Sequence, residues 1–227
     1  KTLLKEISQA CKENECSLVG GETSIQPQVV EKGTYILSSS IAGIVSRRHV
    51  IDGHAIQPGD LILGVASNGL HTNGYSLVRM LLEKMPQIKF EKIHGETFLE
   101  QIMKPHTAYY KAIKQIASNP AVHGMAHITG GGMEANLSRI IPKGLQAKID
   151  LGKWKVLPLF RFIKEAGNIE EQEMLATFNC GIGLAVVVEK TSAQWIKARI
   201  SEFFDCCEIG TIQEGTPKVS FYHHIAW

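Results

Sequence analysis

Residues 122–141 read VHGMAHITGGGMEANLSRII, and the period of the chain changes in the middle of them. Up to Thr129 the pattern is that of a strand, with His123, Met125 and His127 on one face by alternation. Beyond the glycines an amphipathic helical segment follows. A strand that enters a helix through a glycine loop predicts a sheet with helices packed on it. Gly130, Gly131 and Gly132 carry an entropic cost that a purely structural turn rarely needs three times over. The triplet therefore points to a small anionic ligand lying against backbone at a helix start.

The same alternation extends in both directions. DLILGVAS from Asp60 reads as a strand covered on both faces, because Leu61, Ile62, Leu63 and Val65 are nearly continuous. TNGYSLVRMLLEKM, the largely helical TFLEQIMKPHTAYYKAIKQIAS, PLFRFIKEAG, EEQEMLATFN and TSAQWIKARISEFF read as helices. LQAKID, GIGLAVVVE and CCEIGTIQEG read as strands. Near the N-terminus, Leu3, Leu4, Ile7 and Cys11 have helical spacing, and CSLVGGET and GTYILSSSIAGIVS (33–46) read as strands. The predicted class is α+β with an α/β-like character, a mixed sheet carrying helices. The expected organisation is residues 1–46 as part of one domain, 47–59 as a polar linker ending in Pro58-Gly59, and 60–227 as a complete α/β domain. The start at Lys1, directly in helical pattern, reads as a piece of a longer chain.

Composition narrows the function. With 44% hydrophobic and 20% charged residues and a net charge of +2, the chain suits a folded protein and gives no basic surface for nucleic acid or an anionic membrane. No apolar run approaches the roughly 20 residues of a membrane span, and no secretory leader is visible, so a cytoplasmic location is expected. Five cysteines without CxxC spacing read as reduced thiols. Walker, GxSxG, HExxH and Rossmann patterns are absent from the sequence, so any site is built from several loops.

Four glycine-rich stretches are the candidates. In GGET, Glu22 offers a carboxylate for a magnesium ion, or is simply solvated beside a turn. In SNGLHTNGYSL, residues Ser67, Asn68, Gly69, Thr72, Asn73 and Gly74 surround a helix start whose amides favour an anion, with Thr72 and Asn73 where an N-cap belongs. His71 in that loop can donate to a phosphate or move a proton near neutral pH, though histidines in turns are often surface residues. In AHITGGGM, His127, Thr129 and the glycine triplet form the third loop; His127 has the alternative of being a satisfied strand histidine. In TFNCGIG, Asn179 is a further binding candidate, and Cys180 reads as a structural thiol because no basic neighbour is visible.

Taken in order, LVGGETSIQP, PGDLILGVASNGLHTNGYSLVR, VHGMAHITGGGMEANLSRIIPKGL, GNIEEQEMLATFNCGIGLAVVV and EIGTI resemble the phosphoribosylformylglycinamidine cyclo-ligase family, the aminoimidazole ribonucleotide synthetases, from about Lys1 to Gln213. The resemblance implies a homodimeric, two-domain enzyme of purine biosynthesis. Such an enzyme uses ATP and Mg2+ to close the imidazole ring of formylglycinamidine ribonucleotide. It implies a metal-nucleotide role for Glu22, a substrate-facing loop around His71 and Asn73, and a second wall of the cleft from His127 and Thr129 to Gly132. His71 is then the expected phosphate donor and His127 the expected acid or base. Ile25 and Gln28 stand where the family has an acidic residue and a glycine. The family's upstream DGVGTK-type motif is not present, so turnover is expected of the longer protein and not of this chain alone. Other readings are a related ATP-using enzyme, such as selenophosphate synthetase, and a non-catalytic ligand-binding fragment.

Overall fold

A computed structural model describes residues 2–227. The chain divides into two compact units, the first ending at Val50 and the second running from Ile51 to Trp227.

The first unit opens with helix α1 (Thr2–Glu13), whose described residues include none that is buried. A single 3-10 turn follows at Arg47–His49. The stretches expected as strands, 16–23 and 33–46, carry no regular strand. Their apolar residues are present as read but exposed: Val19 is 95% accessible, Tyr35 95% and Ile41 85%. A strand exists only through hydrogen bonds to a neighbour, and β-branched composition cannot supply one. Among the described residues of this unit no partner strand pairs with either stretch.

The second unit begins with strand β1 (Leu61–Ala66) and helix α2 (Tyr75–Lys84). A small hairpin, β2 (Lys92–Ile93) and β3 (Glu96–Thr97), leads to α3 (Phe98–Ile102) and α4 (Tyr110–Ile116). Then come β4 (Val122–His127), α5 (Gly132–Leu137), β5 (Leu145–Asp150), α6 (Pro158–Gly167) and α7 (Glu171–Thr177). The chain ends with β6 (Ile182–Val188), α8 (Ala193–Ser201), β7 (Cys206–Glu214) and β8 (Val219–Tyr222). The main sheet has the order β4-β6-β1-β7-β5-β8, antiparallel except for the parallel β5–β8 pair. It is the mixed sheet the sequence predicts, with β8 added at an edge where a short polar-flanked run gave no signal.

Both faces of the sheet are covered. Along β6 all seven residues are buried. Ala185 and Val187 face one core with residues of α2, α3, α5, α6 and α7, while Leu184, Val186 and Val188 face a second core with α4 and α8. The continuous apolar run of a central strand follows from this sandwiching.

Two local departures from the sequence reading shape the site. The helical pattern over 97–118 is broken between Ile102 and Tyr110, since Pro105 has no N–H to donate and disfavours helical backbone at Lys104. Thr72 and Asn73 do not cap α2: Gly74 does, at φ 76, with no side-chain capping bond. A Cβ at Gly74 would collide with the Phe178 ring, so the backbone makes its left-handed turn at the one residue that fits there.

Candidate active site

Strands β1 and β4 flank β6 and both run antiparallel to it. Their C-terminal ends therefore emerge together, where β6 begins, and the loops after them meet. The α3–α4 break comes to the same place, held by Asn68, whose Nδ2 donates to the Pro105 carbonyl at 2.8 Å. The result is a cluster of His71, His106 and His127, with possible ligand atoms all within 4.8 Å of one another.

His106 Nε2 lies 3.0 Å from His127 Nε2. The His71 ring stacks on His106, with centroids 4.0 Å apart and planes 17° from parallel. Thr72 Oγ1 is 3.5 Å from His106 Nδ1. Beneath them Tyr109 donates its hydroxyl to the Ala66 carbonyl at 2.8 Å and meets His71 edge-on. Gly183 makes this possible, because a Cβ on that residue of β6 would strike both the Tyr109 hydroxyl and the His71 ring.

The electrostatics are those of a half-dry pocket without an acid. Burial first, and then the neighbouring charges of His106 and His127, push His71 down to about 4. Burial and the His127 charge lower His106, and burial lowers His127. Near neutral pH the three rings are uncharged, each with one N–H and one lone pair. Burial also drives the Tyr109 phenol up, so it remains a donor.

Among the described residues, the buried side-chain polar atoms without any partner are His71 Nδ1, His71 Nε2 and Asn73 Nδ2. Buried polar groups are normally paired, so this concentration in one loop marks where an incoming molecule would complete the bonding. Gly130 lies opposite: a methyl added there would meet only Asn73 Oδ1, at 3.8 Å. The HTN loop and the glycine loop thus face each other.

The rest of the glycine triplet has another explanation. A Cβ at Gly132 would collide with the Leu175 carbonyl of α7, and one at Gly131 would lie 2.7 Å from the Ala135 Cβ. Packing accounts for these two, and open approach for Gly130. Asn136, which the sequence reading missed, fastens the loop: its Nδ2 donates to the carbonyls of Gly132 at 2.7 Å and Thr129 at 3.2 Å, and its Oδ1 accepts from Thr129 Oγ1 at 3.0 Å. A lone Asn inside an amphipathic run was its one signal.

Ser67 and Asn179 form the floor. Asn179 Oδ1 accepts from Ser67 Oγ at 2.8 Å and from the Gly181 N–H at 2.9 Å, while its Nδ2 donates to the Gly69 carbonyl at 2.8 Å. Nearby, Trp154 Nε1 donates to the Cys180 carbonyl at 2.9 Å. Cys180 is buried and pushed up to about 12 by that burial, an inert thiol as its surroundings in the sequence suggested. His123 is the satisfied strand histidine of β4, with Nδ1 2.7 Å from Asp60 Oδ2. Glu22 lies exposed in the first unit.

Three imidazoles suit a zinc-like ion better than magnesium, which prefers oxygen ligands. The near-parallel stacking of His71 on His106, however, keeps the in-plane lone pairs of those two rings from converging on one ion as they stand.

A mixed sheet sandwiched by helices, with a loop-built polar site at the shared ends of three strands, defines an α+β domain of the AIR-synthase class. Residues 57–223 match the family described as AIR synthase related protein, C-terminal domain, and the chain belongs to that family. Phosphoribosylformylglycinamidine cyclo-ligase of Bacillus cytotoxicus is 41% identical over 203 residues, which are 88% of this chain and 58% of that protein. The enzyme of the same name from Neisseria gonorrhoeae is 42% identical over 200 residues, with the same shares. The chain thus spans 58% of the length of these relatives. The crystal structure of E. coli HypE superposes with a TM-score of 0.52 at 19% identity, over 74% of this chain and 48% of that one, a likeness of fold.

Proposed function

We propose that this domain serves the ATP-dependent ring closure of formylglycinamidine ribonucleotide to 5-aminoimidazole ribonucleotide, with release of ADP and phosphate, in de novo purine biosynthesis. The likeness to curated cyclo-ligases over 88% of the chain is what carries the reading. In this chemistry the formyl oxygen attacks the γ-phosphate, the amidine side then attacks the activated carbon, and phosphate departs as the ring closes. Phosphoryl transfer needs positioning and charge stabilisation more than a nucleophilic side chain, and the site holds no reactive Ser or Cys.

On this reading the one N–H of the neutral His71 ring and the Asn73 amide nitrogen donate to the phosphorylated ligand, with Gly130, Thr129 and Gly131 forming the opposite wall. Ser67, Gly69, Gly74, Gly132 and Asn179 keep the loops in place. His127, at the open end of β4, takes the proton released from nitrogen on closure. Mg2+ would neutralise phosphate charge when bound. The three-imidazole cluster offers nitrogen and not the oxygen ligands that Mg2+ prefers, and Glu22 by itself supplies one exposed carboxylate. Residues 1–46 are assigned to a nucleotide-binding, dimerising domain, in a homodimer located in the cytoplasm.

The test is phosphate release from ATP, with and without formylglycinamidine ribonucleotide, by this chain and by the longer protein that contains it. Release triggered by that substrate in the longer protein supports the reading. Release indifferent to it, or absent in both, sinks the assignment.

A further inference from the structure

We infer that His106 is a positioning residue: its Nε2 accepts the Nε2–H of His127 and so holds His127 with an unprotonated Nδ1 available for proton transfer. This deepens the functional reading above and rests on it for the proton-transfer role of His127; the contact and the stacking stand without it.

Two imidazole nitrogens 3.0 Å apart require one proton between them, since two facing lone pairs repel and two facing hydrogens collide. The polarity of that bond follows from what must happen during a proton transfer. If His127 donates, its Nε2–H bond survives unchanged whether Nδ1 is empty or has gained a proton. If His106 donated, the only basic nitrogen of His127 would be consumed by the bond, and uptake of a proton would require breaking it. Placement of charge agrees, because His127 is the more open ring while His106 is wedged between His127 and the stacked His71. A positive charge is better hydrated on the outer ring. The remaining His106 nitrogen, Nδ1, then carries its hydrogen toward Thr72 Oγ1 at 3.5 Å.

His106 is fixed well enough for this task. Asn68 pins the preceding carbonyl at 2.8 Å, and the buried His71 supplies a flat surface beneath the ring. Its place matches that of the carboxylate which orients a catalytic imidazole in hydrolytic triads, with a neutral acceptor in place of a charged one. The titratable groups facing the pair are His71 and Tyr109.

The experiment is 15N NMR of the histidine ring nitrogens in this chain, above the pH where His127 titrates. The expected result is a His127 protonated at Nε2 and bare at Nδ1. A wild-type His127 protonated at Nδ1 overturns the inference without need of any variant. His106→Gln, which retains an acceptor oxygen, should keep that tautomer, whereas His106→Leu should release it to a mixture. An unchanged tautomer in a folded His106→Leu also overturns it. In the longer protein, His106→Leu should lower kcat at least about 10-fold, part of the roughly 100-fold that a positioned base supplies, with KM for ATP unchanged. If the longer protein has no cyclo-ligase activity at all, the NMR result still decides the positioning role.

Discussion

Ser67 and Asn179, separated by 112 positions, are joined by a buried hydrogen bond of 2.8 Å between Oγ and Oδ1. Through it the loop leaving β1 is locked to the loop entering β6. Asn179→Ala would strand the Ser67 hydroxyl, the Gly181 N–H and the Gly69 carbonyl together. Each unpaired buried group costs about 1–3 kcal/mol, and with water repairing part of the loss the expected destabilisation is ~3 kcal/mol. Urea unfolding checks it, and a change below ~1 kcal/mol would contradict the clasp.

Neighbouring glycines should respond in opposite ways. Gly132 is held at φ 64 against the Leu175 carbonyl, so Gly132→Ala should lower stability by about 2–4 kcal/mol through backbone strain and collision. Gly130→Ala meets open space and should leave the melting temperature within about 2 °C of wild type while weakening ligand binding. Equal melting temperatures for the two variants would refute this division of labour.

Acid should loosen the fold through His71. Its folded value of about 4 lies below the ordinary 6.5, so between those limits the unfolded chain binds more protons than the folded one. Stability is therefore full above about pH 6.5 and falls as the pH drops toward 4, by roughly 3 kcal/mol from this residue. The lowered His106 and His127 act in the same direction. His71→Leu should flatten the slope; a profile as steep as wild type would show that His71 is not its source.

Asp60 offers a fourth check. Its Oδ2 accepts the Gln57 N–H at 3.0 Å and lies 2.7 Å from His123 Nδ1, both bonds beside the core. Asp60→Ala should cost about 2–4 kcal/mol by orphaning both partners. Asp60→Asn preserves an acceptor and should cost less than half as much in the same denaturant titration. Equal losses would mean that charge, and not acceptor geometry, holds the pair.

The sheet was legible because its strands are sandwiched: Leu61–Val65 and Leu184–Val188 had to be continuously apolar, and no helix-like spacing competes there. The residues 16–23 and 33–46 misled because a strand's composition shows itself without its partner. In the site, His71 and His127 stood out as polar residues beside glycines. His106 did not, since a helical pattern ran through it and the break at Pro105 only gains meaning once Asn68 closes over it. The glycine triplet illustrates the limit in another way. Sequence gives the number of glycines, but only the placement of Ala135 in α5 and of Leu175 in α7 distinguishes the one left open from the two needed for packing.

The bond from the Trp154 indole to the Cys180 carbonyl makes the site visible to light. Trp154 is 9% accessible and touches Gly181, two residues past Asn179, whereas Trp195 is 47% accessible. Its emission should be blue and poorly quenched by iodide, and it should shift red as soon as the junction of β1 and β6 loosens. The protein thus carries an intrinsic fluorophore at the joint on which its candidate site depends, and with Trp195 and the partly buried Trp227 replaced by Phe, loosening there can be followed separately from unfolding elsewhere.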